Sequence, residues 1–308
     1  MKKAIFSTEI SLLRRTMQRL LRRNAYSNIT KILRKTHQAD VAQIMRSFDQ
    51  FEQKTIFSLC PTSLHKARLL EELDEALIEN VLMRESALNI AKVFRYLDTN
   101  DQATIISMFG QDKRYEILTK IEVDDKEEVE EIMSYPDDSA GSIMTKETFT
   151  LNQNTTIKNS IKKLQSFPEN DKIFYLYVLN DKKKLVGVVS LRTLVTSNNE
   201  KKLKDIMIKD IHAANTKTDQ EEVAKIVAQY NYLALPVVNR QNRFLGIVTI
   251  DDVVDIIREE ASEDFLQMAG VGKDREILLK TPIENAKSRA PWILASLIGG
   301  VCAASILS

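Results

Sequence analysis

Carboxylates are concentrated in one short stretch of the chain, residues 251–264. The stretch contains one base, Arg258, and seven acids: Asp251, Asp252, Asp255, Glu259, Glu260, Glu263 and Asp264. In a helix, four of these acids would share one face: Asp252, Asp255, Glu259 and Glu263. Because like charges at this spacing repel, a hard divalent cation such as Mg²⁺ would stabilise the helix. The stretch therefore indicates either a solvated acidic face or a charge-controlled hinge that binds a cation.

A second acidic group, TDQEE, lies at residues 218–222 before a predicted helix. Asp219 at the N-cap would accept backbone N–H groups of the first turn. Acids in that turn, Glu221 and Glu222, would complement the helix dipole. From the residues alone, this pattern indicates the start of a helix.

The overall composition excludes several classes of protein. The chain has 308 residues with 44 Lys+Arg and 43 Asp+Glu, and its net charge of +1 argues against a general nucleic-acid binder. The two cysteines, Cys60 and Cys302, are far apart, and the three histidines have no Cys or His at zinc-ligand spacing. No P-loop, nucleophile elbow, metalloprotease helix or dinucleotide fingerprint occurs, so we predict that the protein is not an enzyme.

Residues 1–135 predict an all-helical domain. An apolar residue followed by Asp recurs every 24–26 residues, at Asp49, Asp74, Asp98 and Asp124. Each Asp would cap the helix that follows it, and such a period indicates a small superhelical array.

The first predicted helix is rich in bases. Residues 11–24 (SLLRRTMQRLLRRN) include five arginines: Arg14, Arg15, Arg19, Arg22 and Arg23. Two interpretations stay open, namely a solvated basic face and a surface attracted to anionic lipid headgroups.

A tandem repeat follows the helical domain. The residues YPDDSAG at 135–141 break the helical pattern and mark a boundary. Beyond it, LVGVVSL at 185–191 aligns with LGIVTI at 245–250 when Gly187 is set on Gly246, an offset of 59. Each copy predicts a β-α-β-β-α unit, and the two units would bury one core together.

The last stretch of the sequence is apolar. Residues 291–308 (PWILASLIGGVCAASILS) contain no charged side chain, and about 17–25 apolar residues suffice to span a bilayer. Three bases precede the stretch: Lys280, Lys287 and Arg289. They predict that the upstream chain lies on the cytoplasmic side. The alternative is a buried helix of a soluble protein.

The paired units resemble a tandem of CBS (cystathionine-β-synthase) domains, and their flanks are similar to the MgtE family of magnesium transporters. The flanking segments are YPDDSAGSIMT, TDQEEVAKIVAQY, TIDDVVDIIREEASEDFLQMAG and PWILASLIGG. The resemblance implies a multidomain α and α/β fold class: an all-helical superhelical N-terminal domain, a CBS pair, an acidic connecting helix and the start of a transmembrane helix. The implied boundaries are 1–135 for the helical domain, 136–204 and 205–257 for the CBS domains, 258–290 for the connecting helix and 291–308 for the first transmembrane helix.

The resemblance also implies a function, magnesium ion transport across the membrane, with this segment as the cytosolic Mg²⁺-sensing gate. It implies a homodimer formed through the CBS domains, a membrane pore domain as a further partner, and no nucleic acid. The implied location is the cell (inner) membrane, with residues 1–290 cytoplasmic. The implied metal ligands are Asp219, Glu221 and the backbone carbonyl of Ala228 at one site, and Asp252, Glu260, Glu263 and Asp264 at another.

Several positions depart from the family pattern. Asn100, Thr104 and Asn231 stand where family acids would lie, and Arg68 replaces another acid. An amide carbonyl can still ligate a cation, whereas a guanidinium cannot. We therefore expect fewer or weaker ions between the N-terminal domain and the CBS pair.

The alternative function is an adenine-nucleotide-sensing regulatory protein with a membrane anchor. In CBS pairs, a Ser or Thr followed three residues later by Asp can hold phosphate and ribose, and Thr249 and Asp252 fit that spacing. Tyr232 would stack on adenine and Arg192 would reach the phosphates, so ATP is a candidate ligand or modulator. The competing interpretation is that Thr249 and Asp252 only end a strand and cap a helix.

Overall fold

The computed structural model describes residues 2–167 and 173–268, with side chains from residue 9 to residue 261 in these ranges, apart from Asp124. The described residues before Pro136 fold into helices only, as predicted. Their bounds are α1 Lys2–Arg22, α2 Tyr26–Leu33, α3 Gln38–Met45, α4 Gln50–Ser58, α5 Ser63–Leu70, α6 Glu75–Leu82, α7 Ala87–Phe94, α8 Thr99–Ser107, α9 Gln111–Leu118 and α10 Val123–Ile132.

The short helices stack as an array. Helices α3, α5, α7 and α9 pack in succession, while α4 packs on α6 and α8 packs on α10. This alternation gives the predicted superhelical arrangement, because each helix buries one face against the helix two positions along the chain.

The recurring Asp residues cap two of the four helices as predicted. Asp49 Oδ1 accepts the Phe51 and Glu52 backbone N–H groups at 2.9 and 2.8 Å. Asp74 Oδ1 accepts the Leu77 N–H at 3.1 Å. Asp98 occupies the N-cap of α8 without a side-chain capping bond. The prediction for the fourth was wrong, because α10 begins at Val123 with Glu122 as its N-cap and Asp124 lies inside the helix.

Two three-stranded sheets follow, one from each copy of the repeat, in the orders β1-β2-β3 and β4-β5-β6. In each sheet the first two strands are parallel and the last two antiparallel. The bounds are α11 Ala140–Ile143, β1 Thr150–Asn152, α12 Ile157–Gln165, β2 Tyr175–Leu179, β3 Leu185–Ser190, α13 Leu191–Thr196, β4 Ala214–Asn215, α14 Gln220–Tyr230, β5 Ala234–Val238, β6 Phe244–Thr249 and α15 Ile250–Met268.

The sheet register supports the alignment of the two copies. Val178 lies opposite Gly187 in the first sheet, and Val237 lies opposite Gly246 in the second. A Cβ atom at Gly246 would lie 2.5 Å from the Thr145 carbonyl oxygen, so the close approach there requires glycine.

The leading segments of the two copies are exchanged. Thr145, which precedes the first sheet, forms an antiparallel bridge with Ile247 of the second sheet. Ile208, which precedes the second sheet, bridges Val188 of the first. The two copies therefore interlock, and the segment that leaves the helical domain is tied to the second CBS unit.

One apolar core joins the helical domain to the second CBS unit. Ile106 of α8, Ile132 of α10, Ala140 of α11, Val223 of α14 and Val253 of α15 are buried in the same cluster. The first CBS unit has a separate core around Leu176, Val189 and Leu194. Burial of apolar area thus holds α15 against the N-terminal domain.

Helix α15 carries the chain out of the CBS pair. It runs without a break from Ile250 to Met268, across the predicted boundary at residue 257. Within the described ranges, no helix has the length and apolar character needed to cross a bilayer. The predicted membrane segment 291–308, and the connecting segment after Met268, lie outside the described residues.

Candidate functional site

The start of α15 places Asp252 in two hydrogen-bonding networks. Its Oδ2 accepts the Thr249 hydroxyl at 2.5 Å and the Thr249 backbone N–H at 3.1 Å. Its Oδ1 accepts the Asn100 side-chain N–H from α8 at 3.3 Å. The predicted Thr249 and Asp252 pair is therefore a helix cap that also touches the N-terminal domain.

Asn100 is the polar side chain at the centre of this junction. It is 7% exposed, and its Oδ1 has no hydrogen-bond partner among the described residues. A buried amide oxygen without a partner costs free energy, so its position beside a carboxylate needs a physical reason. A carbonyl oxygen next to a carboxylate is a ligand pair that Mg²⁺ accepts.

A groove of about 470 Å³ lies between the helical domain and α15. Its charged lining residues are Glu71, Asp74, Glu75, Asp101 and Glu259. Burial, together with the Asp255, Asp138 and Glu260 carboxylates, raises the pKa of Glu259 above its ordinary value. Asp74 is paired with Arg46 at 3.3 Å, and the groove presents mainly carboxylates toward Glu259 of α15.

The other acids of α15 point in different directions. Glu260 Oε1 accepts the Gln220 side-chain N–H of α14 at 2.7 Å, and Gln220 is buried. Asp255 pairs with Arg258 at 3.3 Å on the exposed side. The acids of the predicted face are thus divided: Asp252 and Glu259 lie toward the helical domain and Asp255 lies toward solvent. Glu260, which is outside that face, contacts α14. Glu263 and Asp264 lie in α15, but their side chains fall outside the described residues.

The apolar side chains of α15 are divided between the core and solvent. Val253 and Ile256 are buried, whereas Val254 and Ile257 are 39% and 47% exposed. Helix α15 packs on α14, and its buried pair belongs to the cluster that also contains residues of the helical domain.

The second predicted metal site is not assembled within the described chain. Asp219 is the N-cap of α14 and accepts the Glu221 backbone N–H at 2.8 Å. Glu221 pairs with Lys225 at 2.8 Å. Ala228 lies on the same helix, about 10 Å further along the axis than Glu221 at about 1.5 Å per residue, which is too far for one ion to contact all three. Over the described part of the chain, no cluster of three or more His, Cys, Asp or Glu residues has a metal-binding arrangement.

The predicted nucleotide residues lie on both CBS units. Arg192 is exposed on α13 of the first unit, while Thr249 ends β6 of the second and Asp252 lies in the first turn of α15. The Tyr232 hydroxyl lies 2.8 Å from His212 Nδ1, and the Tyr232 ring stacks on Tyr230 with centroids 5.6 Å apart. Tyr232 therefore belongs to an aromatic cluster that can offer a flat apolar surface to a base.

Sequence reasoning missed the second polar contact between the domains. Glu147, in the exchanged segment, accepts the Thr99 hydroxyl of α8 at 2.8 Å and the Thr145 hydroxyl. Lys146 pairs with Glu131 of α10. Burial alone would raise the pKa of Glu131, but hydrogen bonds from Lys146 and Tyr135 bring it below its ordinary value. No local pattern marks these residues, because each contact joins distant parts of the chain.

Known families match both domains. The family described as the MgtE intracellular N domain matches residues 36–138, and the CBS domain family matches residues 140–198 and 203–259. The Bacillus subtilis magnesium transporter MgtE is 33% identical over 282 residues, covering 87% of this chain and 62% of the relative. The Enterococcus faecalis magnesium transporter MgtE is 35% identical over 182 residues, covering 59% of this chain and 40% of the relative. The chain thus spans less than two thirds of the length of these relatives, which are named as transporters and not as enzymes.

A solved structure matches the fold. The crystal structure of the cytosolic domain of the Mg²⁺ channel MgtE in complex with ATP superposes with a TM-score of 0.74 at 26% identity. The match covers 79% of this chain and 99% of that chain. With an MgtE intracellular N domain followed by two CBS domains, and with the fold of the MgtE cytosolic domain, the chain belongs to the MgtE family.

Proposed function

We propose that this chain is the Mg²⁺-sensing cytosolic part of a magnesium transporter in the cell (inner) membrane, with residues 1–290 on the cytoplasmic side. The observation that supports it is the unpartnered, buried Oδ1 of Asn100 beside Asp252, at the junction between the helical domain and α15. The names of the relatives agree with magnesium as the transported ion. In this proposal the transmembrane part supplies the pore and this chain supplies the gate.

Mg²⁺ acts in this proposal by favouring the docked arrangement. The acids that line the groove lie on both sides of the junction, on the helical domain and on α15. A cation held between the two sides binds the docked state more tightly than the open one, so high Mg²⁺ shifts the population toward docking. At low Mg²⁺ the Glu259 carboxylate faces the carboxylates of the helical domain without a cation between them, which weakens docking.

We assign the cation ligands to the junction. Asp252 is the proposed carboxylate there, beside Asn100. Glu260, which accepts a hydrogen bond from Gln220 of α14, begins a second group of acids about 12 Å further along α15 at about 1.5 Å per residue. We propose that this group, with Glu263 and Asp264 on the next turn, holds a separate ion. Asn100 offers a neutral oxygen where a carboxylate would bind more strongly, so the affinity at this position is low. Asp219 is the N-cap of α14 and Glu221 lies in its first turn, so we do not assign them as cation ligands at the junction.

We also propose that two copies pair through their CBS domains. Val254 and Ile257 of α15 and Leu233 before β5 are large apolar side chains that are 39–47% exposed. Burial against a second copy would remove this area from water.

Sedimentation equilibrium of the full chain should give twice the mass of one chain, and a monomer at about 100 µM would contradict the pairing.

A second candidate function is modulation by ATP. The related cytosolic domain was solved with ATP. In this chain Thr249, Asp252 and Tyr232 lie on the second CBS unit and Arg192 on the first. Nucleotide binding across the two units would couple to the junction, because Asp252 belongs to both sites.

Asp252→Asn should weaken the response to Mg²⁺. The substitution keeps an oxygen for the Thr249 cap and removes the charge that attracts the cation. We expect the MgCl₂ concentration that half-protects the full chain from trypsin to rise about tenfold, equivalent to about 1.4 kcal/mol. Ionic strength is held constant with KCl. Asp251→Asn, an exposed acid on the same helix, is the matched control and should keep the parent midpoint. Equal midpoints for Asp252→Asn and the parent would rule out this ligand.

Asn100→Asp should make docking strictly dependent on Mg²⁺. Without Mg²⁺ its carboxylate would face Asp252, and we expect trypsin to cleave the junction several-fold faster than in the parent because like charges repel. Saturating Mg²⁺ should restore the parent rate. Asn154→Asp, in an exposed turn, controls for added charge. Rapid cleavage that Mg²⁺ does not reverse would indicate simple loss of packing and count against the site.

Arg192→Gln should weaken ATP binding. A charge-assisted hydrogen bond to phosphate is lost, and we expect the dissociation constant measured by isothermal titration calorimetry to rise about tenfold. Arg240→Gln, on the exposed turn between β5 and β6, should leave the constant unchanged. Absence of binding to the parent chain, or equal constants for the two variants, would refute the nucleotide role.

A further inference from the structure

The N-terminal end of the helical array is exposed and strongly positive. Between residues 10 and 39 the sequence contains no Asp or Glu and eight Lys or Arg residues. All eight are exposed, and we call them the N-terminal basic surface: Arg14, Arg15, Arg19, Arg22, Arg23, Lys31, Arg34 and Lys35. A positively charged surface of this size attracts an anionic partner over a distance that the ionic strength determines.

Packing keeps these bases in solvent. Met17 and Leu21 of α1 and Ile29 and Leu33 of α2 are buried in one core, whereas the bases of this segment stay exposed. A turn with Asn24 at φ 53° connects the two helices, and the Ala25 N–H donates to the Leu20 carbonyl at 2.9 Å. The two helices are therefore held in one orientation, with their basic sides outward.

Few carboxylates lie near enough to neutralise the surface. Helix α1 packs against α2 and α3. The acids on these elements whose side chains are described are Glu9 on α1 and Asp40 on α3. Among the described side chains, none of the eight bases takes part in a salt bridge.

We propose that the N-terminal basic surface binds the anionic lipid headgroups of a membrane. The proposal rests on the membrane location in the proposed function, which places a sheet of anionic charge beside this chain. The contact is mainly electrostatic and peripheral, because the core holds Met17 and Leu21 of α1, and Leu12 adds one side chain that is 64% exposed.

A membrane fits this surface better than a nucleic acid does. Single-stranded nucleic acid binds surfaces that interleave bases with aromatic stacking platforms. Between residues 10 and 39 the sequence has one aromatic side chain, Tyr26, whose hydroxyl is hydrogen-bonded to Asn24. Lipid headgroups require only charge, which the eight bases supply.

Headgroup binding would add a second input to the gate. The bases lie on the same rigid helical array as Asn100, which contacts Asp252 on α15. A lipid contact that restricts the array changes the free energy of docking on the second CBS unit. The gate would then respond to lipid charge as well as to Mg²⁺.

Flotation of the full chain with lipid vesicles in Mg²⁺-free buffer tests the proposal. Vesicles of phosphatidylcholine alone are compared with vesicles containing about 30% phosphatidylglycerol. Binding to the phosphatidylcholine vesicles measures any contribution of residues 291–308 that does not depend on lipid charge. We expect at least about tenfold tighter binding to the anionic vesicles at about 0.1 M KCl, and loss of that difference at about 0.5 M. Because Mg²⁺ is absent, failure here is distinct from failure of Mg²⁺ sensing.

Charge-neutral variants identify the surface. The substitutions Arg14→Gln, Arg15→Gln, Arg19→Gln and Arg22→Gln together should abolish the difference between the two vesicles, with unchanged helicity by circular dichroism. A control that removes three positive charges elsewhere, Lys158→Gln, Lys162→Gln and Lys163→Gln on exposed positions of α12, should retain it. Equal binding to both vesicles, or retention by the arginine variant, would overturn the proposal. Binding to a short RNA that depends on these arginines, without preference for anionic vesicles, would also overturn it.

Discussion

The docking of the helical domain on the second CBS unit is the contact on which the remaining structure depends. It is made by one apolar core that includes residues of α8, α10, α11, α14 and α15. Burial of apolar area is non-directional, so it brings the two domains together without specifying polar partners at the edge. The polar contacts at that edge, Asn100 with Asp252 and Thr99 with Glu147, then align the domains.

A neutral side chain at the centre of the junction changes how the domains hold together. The Asn100 amide donates directly to Asp252, so a contact exists without any cation between them. Two facing carboxylates would instead repel and would need a cation to dock. The amide leaves its own oxygen without a partner, which costs free energy in a buried position. The junction therefore combines ion-independent docking with an oxygen that a cation can use.

The exchanged segments connect this junction to the CBS pair. Thr145 pairs with Ile247 in the second sheet, and the same segment carries Lys146 and Glu147 to the helical domain. Gly246 has no side chain, and this allows the segment to lie close to β6. A change in the position of the helical domain would thus be transmitted to the sheet by backbone hydrogen bonds, and not only by side chains.

The sequence by itself determined the elements of this protein that depend on local patterns. The helical array, the alignment of Gly187 with Gly246 and the caps at Asp49 and Asp74 follow from periodicity and residue type within a few positions. The flanking motifs were also enough to identify the family, which the comparisons confirm.

Only the tertiary structure decided which residues meet. Asn100 and Asp252 are 152 positions apart, and nothing local to either indicates the contact. Contacts between distant parts of the chain also decide the exchange of the leading segments. They likewise decide how the α15 acids are divided among three surroundings and why Val254 and Ile257 are exposed. A single helix can be read from its own sequence, whereas the face that it buries depends on every element that packs against it.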